Sequence, residues 1–258
     1  MEIFKNRNVL VTGGSGGIGR EICRTMAHAG ANILIFSRNE EKGKRVVDEL
    51  RNDGRKAEFF QTDIGDSESI NFSVSRVREQ IGSIDVLINN AAISGFMGPV
   101  TTTPVEELQS VLNVNLVGAF QLARDFLPGM INNKFGRIIN ISSVASRVNP
   151  VNSATYNISK AGLDALTKSL SREAASYGIT VNSIAPGLIL TDRIVNSRLP
   201  GLAEKSGNSE EDILRAITCQ SDTQKLTTET EIAELVLFLC SNGAGNITGE
   251  VINLSGGY

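Results

Sequence analysis

The chain has 258 residues, 41% of them hydrophobic and 21% charged, with a formal net charge of −3. These proportions exclude a disordered chain, and the small negative balance supplies no basic field to attract nucleic acid or an anionic membrane. No apolar run reaches the roughly 18 residues of a membrane span, the first residues lack the apolar core of a signal peptide, and Cys23, Cys219 and Cys240 are far apart and odd in number, so a cytoplasmic protein with free thiols is expected.

Short β-branched runs alternate with helical patterns along the whole chain. Strands are predicted at Asn8–Thr12, Asn32–Phe36, Ala57–Gln61, Ile84–Asn89, Gly136–Ile141, Ile179–Ala185 and Glu250–Leu254. Helices are predicted at Ile18–Ala29, Glu40–Asn52, from Asp66 to about Gln80, from about Pro104 to Met130, and at Ser153–Tyr177. Continuous apolar strands, each followed by a helix, predict one doubly wound α/β domain over 1–258: a parallel, Rossmann-like sheet of about seven strands with helices on both faces. A (β/α)8 barrel would need eight βα units, and about six are present. Between about 190 and 226 the alternation gives way to a longer connection carrying a short helix, with Ser209-Glu-Glu-Asp212 resembling a capping box; a substrate lid is expected there.

Thr12-Gly-Gly-Ser-Gly-Gly-Ile-Gly19 joins the first strand to the first helix. It fits two dinucleotide patterns, one through Gly14, Gly16 and Gly19 and one through Gly13, Gly17 and Gly19. In either register, residues without Cβ let the backbone approach a pyrophosphate at a helix N-terminus. An NAD site commonly places an acid at the end of the second strand; here Ser37 and Arg38 stand there, leaving room and a guanidinium for a 2′-phosphate. NADP(H) is therefore expected over NAD(H).

Tyr156-Asn-Ile-Ser-Lys160 lies within a predicted helix, so the phenol and the ammonium share one face, with Cβ atoms roughly 6 Å apart. A free tyrosine titrates near pH 10 (about 10 is the reference value), and a nearby cation lowers that value toward the range of a general acid/base. Ser142-Ser143 ends the fifth strand, at the edge where doubly wound sheets bind ligands. His28 is the only histidine and is far in sequence from these motifs, which leaves no basis for a histidine metal site; no metal is expected.

These motifs, with Asn89-Asn-Ala-Ala92, Asn115 in Asn-Val-Asn-Leu, Pro186-Gly187 with Thr191, and the tail from Ile247 to Gly257, resemble the short-chain dehydrogenase/reductase family over nearly the whole chain. The resemblance implies an oxidoreductase that moves a hydride between NADP(H) and a small carbonyl compound or secondary alcohol. It gives Tyr156 the proton transfer, Ser143 the substrate oxygen, Lys160 the acidification of Tyr156 and a nicotinamide ribose contact, and Asn115 a water that links Lys160 to solvent. For the cofactor it implies Gly13, Ser15, Gly17, Ile18 and Gly19 at the pyrophosphate, and Ser37 and Arg38 at the adenosine 2′ position. Asp63 with Ile64 falls at the adenine, Asn90 and Ala91 at the ribose, and Pro186, Gly187, Ile189 and Thr191 at the nicotinamide. It also implies a homodimer or homotetramer formed through the helices near 106–130 and 153–177. The overall look is nearest the 3-oxoacyl-acyl-carrier-protein reductases, whose two basic docking positions are here Lys134 and Tyr177; half of that pair is missing. Two further departures are Ala92 where the family often has glycine, and Gly16 where many NADP-dependent members carry a basic residue.

Overall fold

The computed structural model describes residues 3–189, 199–219 and 221–257. Seven parallel strands, β1 (Asn8–Thr12), β2 (Asn32–Ser37), β3 (Ala57–Gln61), β4 (Val86–Asn89), β5 (Gly136–Ile141), β6 (Ile179–Pro186) and β7 (Val251–Leu254), form one sheet in the order β3-β2-β1-β4-β5-β6-β7. This is the Rossmann-like α/β fold that the alternating pattern predicts. The order reverses between β1 and β4, and a crevice opens beyond the carboxyl ends of strands at such a reversal.

Strand side chains alternate between faces, and each face has its own set of helices. Val9, Val11, Ile33, Ile35, Val86 and Ile88 pack under α1 (Gly17–His28), α2 (Glu40–Asn52) and α10 (Glu229–Cys240), meeting Ile22, Met26, Val47, Leu50, Ile232 and Val236. The alternate residues Leu10, Leu34, Phe36 and Leu87 face the other way, onto α3 (Ser67–Gln80), α5 (Gly118–Asn132) and α7 (Ala154–Ala174). With both faces covered, the central residues of β1, β2 and β4 are apolar on both sides, which is why they appear in the sequence as unbroken runs. Cys23 and Cys240 are buried in the first of these layers, and Cys219 is exposed.

Several helix starts carry side-chain caps: Asn39 accepts from Lys42 N for α2, Asp66 from Glu68 N for α3, and Thr228 with Glu231 forms a capping box for α10. Helix α1 has none.

Three expectations are corrected. Strand β4 starts at Val86; Asp85, just before it, accepts through its side chain from Asn8 N (2.8 Å) and Arg7 Nη1 (2.6 Å) at the amino end of the strand. The single helix expected from Pro104 to Met130 is α4 (Val105–Leu112), a π-helical turn over Asn113–Val117, and α5. The long connection holds two helices rather than one, α8 (Leu199–Ser206) and α9 (Glu210–Thr218). Pro200 stands in the first turn of α8, where a missing N–H costs nothing, and Ser209 Oγ caps α9 by accepting from Asp212 N (3.1 Å).

Candidate active site

The expected site residues that are described all lie on or beyond the carboxyl ends of β1 to β6, or on the helices that pack there. Thr12 ends β1 and ties the crevice together. Its hydroxyl accepts from Asn90 N (2.9 Å) and Ala91 N (3.0 Å), while Asn90 Nδ2 donates to Thr12 O (2.9 Å). The loops after β1 and β4 are thereby joined across the switch point. Sequence reasoning gave Thr12 no role of its own; a hydroxyl at the last residue of the first strand is the signal that would have found it.

The backbone of the glycine loop favours the register of Gly13, Gly17 and Gly19. Gly13 and Gly17 have φ of 66° and 51°, values that favour glycine. A Cβ at Gly13 would lie 2.9 Å from Asn90 Nδ2, and one at Gly19 would overlap the Gly13 carbonyl oxygen. Gly16, the middle glycine of the other register, is extended at φ −175° with open space around it. The N-terminus of α1 behind this loop has no side-chain cap and no acid in its first turn, so its N–H groups, including those near Ile18, remain to receive an anion. A backbone cradle that side chains would obstruct, ending at an uncapped helix, fits the pyrophosphate of a dinucleotide.

At the end of β2, Ser37 is buried and its Oγ lies 2.7 Å from Ser15 Oγ in the glycine loop. Arg38 follows, exposed, and its guanidinium pairs with none of the described residues. The neighbouring cations Lys44 and Arg45 are held by Glu40 and Glu41 in ion pairs one turn apart on α2. After β3, Asp63 Oδ1 accepts from Gly65 N (2.8 Å), and Ile64 is buried against Gly118 at the start of α5. Past β6, Val144 N donates to Pro186 O (3.0 Å), Gly187 N donates to Leu254 O (3.0 Å), and Ile189 bridges to Thr227. Thr191 lies outside the described residues.

The candidate reactive groups lie at the end of β5 and on the helix whose lysine is bonded to it. Ser143 is half-buried, with Oγ accepting from Ala145 N (3.2 Å). Tyr156 is half-buried in the first turn of α7, and Lys160 one turn later is fully buried. Lys160 Nζ donates to Ile141 O (2.7 Å) and lies 5.6 Å from the centroid of the Tyr156 ring. Burial pushes the Lys160 ammonium down to about 8, a shift partly opposed by the negative charge of Asp164.

Asn115 sits in the π turn and is buried. Its Oδ1 accepts from Ile93 N (2.8 Å), and its Nδ2 donates to Ile93 O (2.9 Å) and Ser159 Oγ (3.0 Å). Ser159 Oγ in turn donates to Tyr156 O (2.7 Å). The wide turn thus presents one amide that locks the loop after β4 onto the helix carrying Tyr156 and Lys160. Single π turns occur often at functional sites.

A short-chain dehydrogenase family model matches residues 7–199. A 3-oxoacyl-acyl-carrier-protein reductase FabG of Staphylococcus aureus is 34% identical over 252 residues, covering 97% of each chain. Among solved structures, an actinorhodin polyketide ketoreductase variant with NADPH superposes with a TM-score of 0.92 at 33% identity, covering 98% of this chain and 97% of that one. An NAD+-bound xylitol dehydrogenase does so with a TM-score of 0.92 at 28% identity, covering 98% and 99%. With its parallel seven-stranded sheet and this whole-length similarity, the chain belongs to the short-chain dehydrogenase/reductase family of oxidoreductases.

Proposed function

We propose that the protein is an NADP(H)-dependent ketoreductase in which Tyr156 is the general acid/base. The observation that carries this reading is the Lys160 ammonium, fixed by the Ile141 carbonyl at the end of β5 and 5.6 Å from the Tyr156 ring. A bound nicotinamide supplies the hydride. Ser143 Oγ–H donates to the substrate carbonyl oxygen and orients it, and Tyr156 Oη–H gives that oxygen the proton that completes the alcohol. Lys160 stabilises the phenolate left on Tyr156. The side-chain polar atoms of Asn115 are taken up by Ile93 and Ser159, so a water that returns the proton is assigned to its main-chain carbonyl in the π turn.

Preference for the 2′-phosphate rests on Ser37 and Arg38: no carboxylate ends β2, and the Arg38 fork is unpaired among the described residues. NADPH accompanies the polyketide ketoreductase neighbour, whereas NAD+ accompanies the xylitol dehydrogenase. The reading in favour of NADP(H) is therefore supported by the β2 residues rather than by these neighbours.

For the substrate, the loops beside Ser143 and Tyr156 expose Phe96, Met97, Val148 and Val151. Arg147, between them, is turned away to Asn253 Oδ1 (2.9 Å) and Val251 O (3.0 Å). An apolar rim among the described residues suits a neutral ketone, and we propose that α8 and α9 form part of its cover. A carrier-bound substrate is the second reading, favoured by the FabG similarity. Lys134 and Tyr177 flank the amino ends of β5 and β6, the edge opposite Ser143, so a carrier docked there would serve the site of another protomer. NADPH oxidation with ethyl acetoacetate, set beside the same acyl group on a carrier protein, separates the two. Tyr156→Phe is expected to lose at least about 100-fold in kcat with either; retention of most of the activity removes Tyr156 as the acid.

A further inference from the structure

Helix α7 carries a polar stripe, Tyr156, Lys160, Asp164, Thr167 and Ser171, at helical spacing, and its middle members are bonded to the sheet. Lys160 Nζ donates to Ile141 O, Asp164 Oδ1 accepts from Ser183 Oγ (3.0 Å), and Thr167 Oγ1 accepts from Asn140 Nδ2 (2.8 Å). Ile141 pairs with Ile184 and Asn140 with Ser183. Lys160 therefore meets the sheet at one level, and Asp164 meets it one residue, about 3.3 Å, further back. We propose that Asp164 is a positioning residue for the proton-transfer pair: its carboxylate, fixed by Ser183, keeps the Lys160 ammonium charged and so keeps Tyr156 acidic.

Among the described residues no other charged group takes this place. Strand β6 carries none, and Arg137 of β5 is at the far end of its strand, bonded to Gly136 and Gly178. On α6 (Ala145–Val148), Arg147 is bonded to Val251 and Asn253. Glu106 of α4 is exposed, and Glu107 lies against Gly95 beyond the start of α7. Arg124 and Asp125 of α5 pair with each other, and the π turn holds no charge. Among the described residues, Tyr156 and Asp164 are the titratable groups that face Lys160. Burial works against the ammonium and Asp164 works for it, the balance already visible in the lowered value of about 8. Asp164 is one turn, about 6 Å along the axis, from Lys160 and two turns, about 12 Å, from Tyr156. Its removal therefore acts first on the lysine, and the tyrosine follows upward.

The inference rests on Tyr156 and Lys160 acting as a pair, but its test needs no turnover. The chain has three tyrosines and no tryptophan, so phenolate absorbance of the cofactor-free protein, with Tyr156→Phe subtracted, isolates the Tyr156 titration. Asp164→Asn, which keeps an acceptor for Ser183, is expected to raise the Tyr156 midpoint by about half to one pH unit. Asp164→Glu, which keeps the charge, is expected to stay within about a third of that shift, and so is Ser183→Ala. An unchanged midpoint in Asp164→Asn overturns the proposal, as does a shift of equal size in Ser183→Ala, which would assign the effect to the hydrogen bond. Loss of catalysis by Tyr156 itself would show in the Tyr156→Phe kinetics and leave this titration untouched.

Discussion

Ser15 Oγ and Ser37 Oγ, 2.7 Å apart, join the glycine loop to the end of β2 at the position where a carboxylate would repel a 2′-phosphate. An aspartate placed there would meet the phosphate with like charge and break the serine pair. Ser37→Asp is expected to weaken NADPH binding by about 100-fold or more and to spare or improve NADH. Arg38→Ala removes a charge-assisted contact worth about 1.5–3 kcal/mol, a loss of about 10- to 100-fold for NADPH and little for NADH. Nicotinamide fluorescence titrations decide it: equal affinity for both cofactors in the unaltered protein, unmoved by Arg38→Ala, would reject the assignment.

The glycine loop gives a sharper contrast. A Cβ at Gly19 overlaps the Gly13 carbonyl oxygen, which can move only with the loop that must receive the pyrophosphate, whereas a Cβ at Gly16 meets nothing within 4 Å. Gly19→Ala is expected to abolish detectable dinucleotide binding and to lower the melting temperature. Gly16→Ala is expected to bind within about threefold of the unaltered protein, since an extended backbone accepts alanine without strain. Calorimetric titration of both variants with NADPH tests this, and loss of binding in Gly16→Ala would restore the Gly14, Gly16 and Gly19 register.

That register was not legible in the sequence, because both patterns use only the identities of glycines that stand side by side. What separates Gly16 from Gly17 is a backbone angle and the neighbour reached across the crevice. The sheet was legible where both its faces are covered: apolar runs mark β1, β2 and β4, and the charged residues before β3 and β5 mark where those strands begin. The nearness of Tyr156 and Lys160 was legible because i, i+4 spacing on a helix dictates a common face. The π turn at Asn113–Val117 was not, since it arises from Asn115 bonding to Ile93, twenty-two residues away. Asp164 stood in plain view, four residues beyond Lys160, but its partner Ser183 comes from a strand whose register only the fold supplies.

Asn115 is expected to matter for stability as much as for proton return. Its amide makes three hydrogen bonds in a buried setting, two of them to the main chain of Ile93. Asn115→Leu leaves Ile93 N–H and C=O without partners, at about 1–3 kcal/mol each. A fall of about 3 kcal/mol in unfolding free energy is expected, together with loss of turnover. Urea unfolding measures it, and a change below about 1 kcal/mol would mean that the loop after β4 is held by other contacts.

Lys160 carries the opposite tension, a charge that the proposed chemistry uses and that burial makes costly to stability. Its folded-state value of about 8 lies below the ordinary 10.5 of a solvated lysine. Below pH 8 both folded and unfolded chains are protonated, and the folded one bears the full cost of the buried ammonium, about 3 kcal/mol for a shift of this size. Between pH 8 and 10.5 the folded chain has released the proton and the unfolded chain still holds it, so the unfolded state binds more protons and this contribution to stability rises with pH. Lys160→Met has no such rise. Its stability relative to the unaltered protein is therefore highest below pH 8 and falls by up to about 3 kcal/mol toward pH 10.5. The Ile141 carbonyl left without its donor offsets about 1–3 kcal/mol of any gain, which makes the absolute difference at pH 7 small and leaves the slope as the informative quantity. Urea unfolding of both cofactor-free proteins at pH 7, 8, 9 and 10 tests the sign, and parallel curves across that range would show that Lys160 does not titrate between its solvated and buried values.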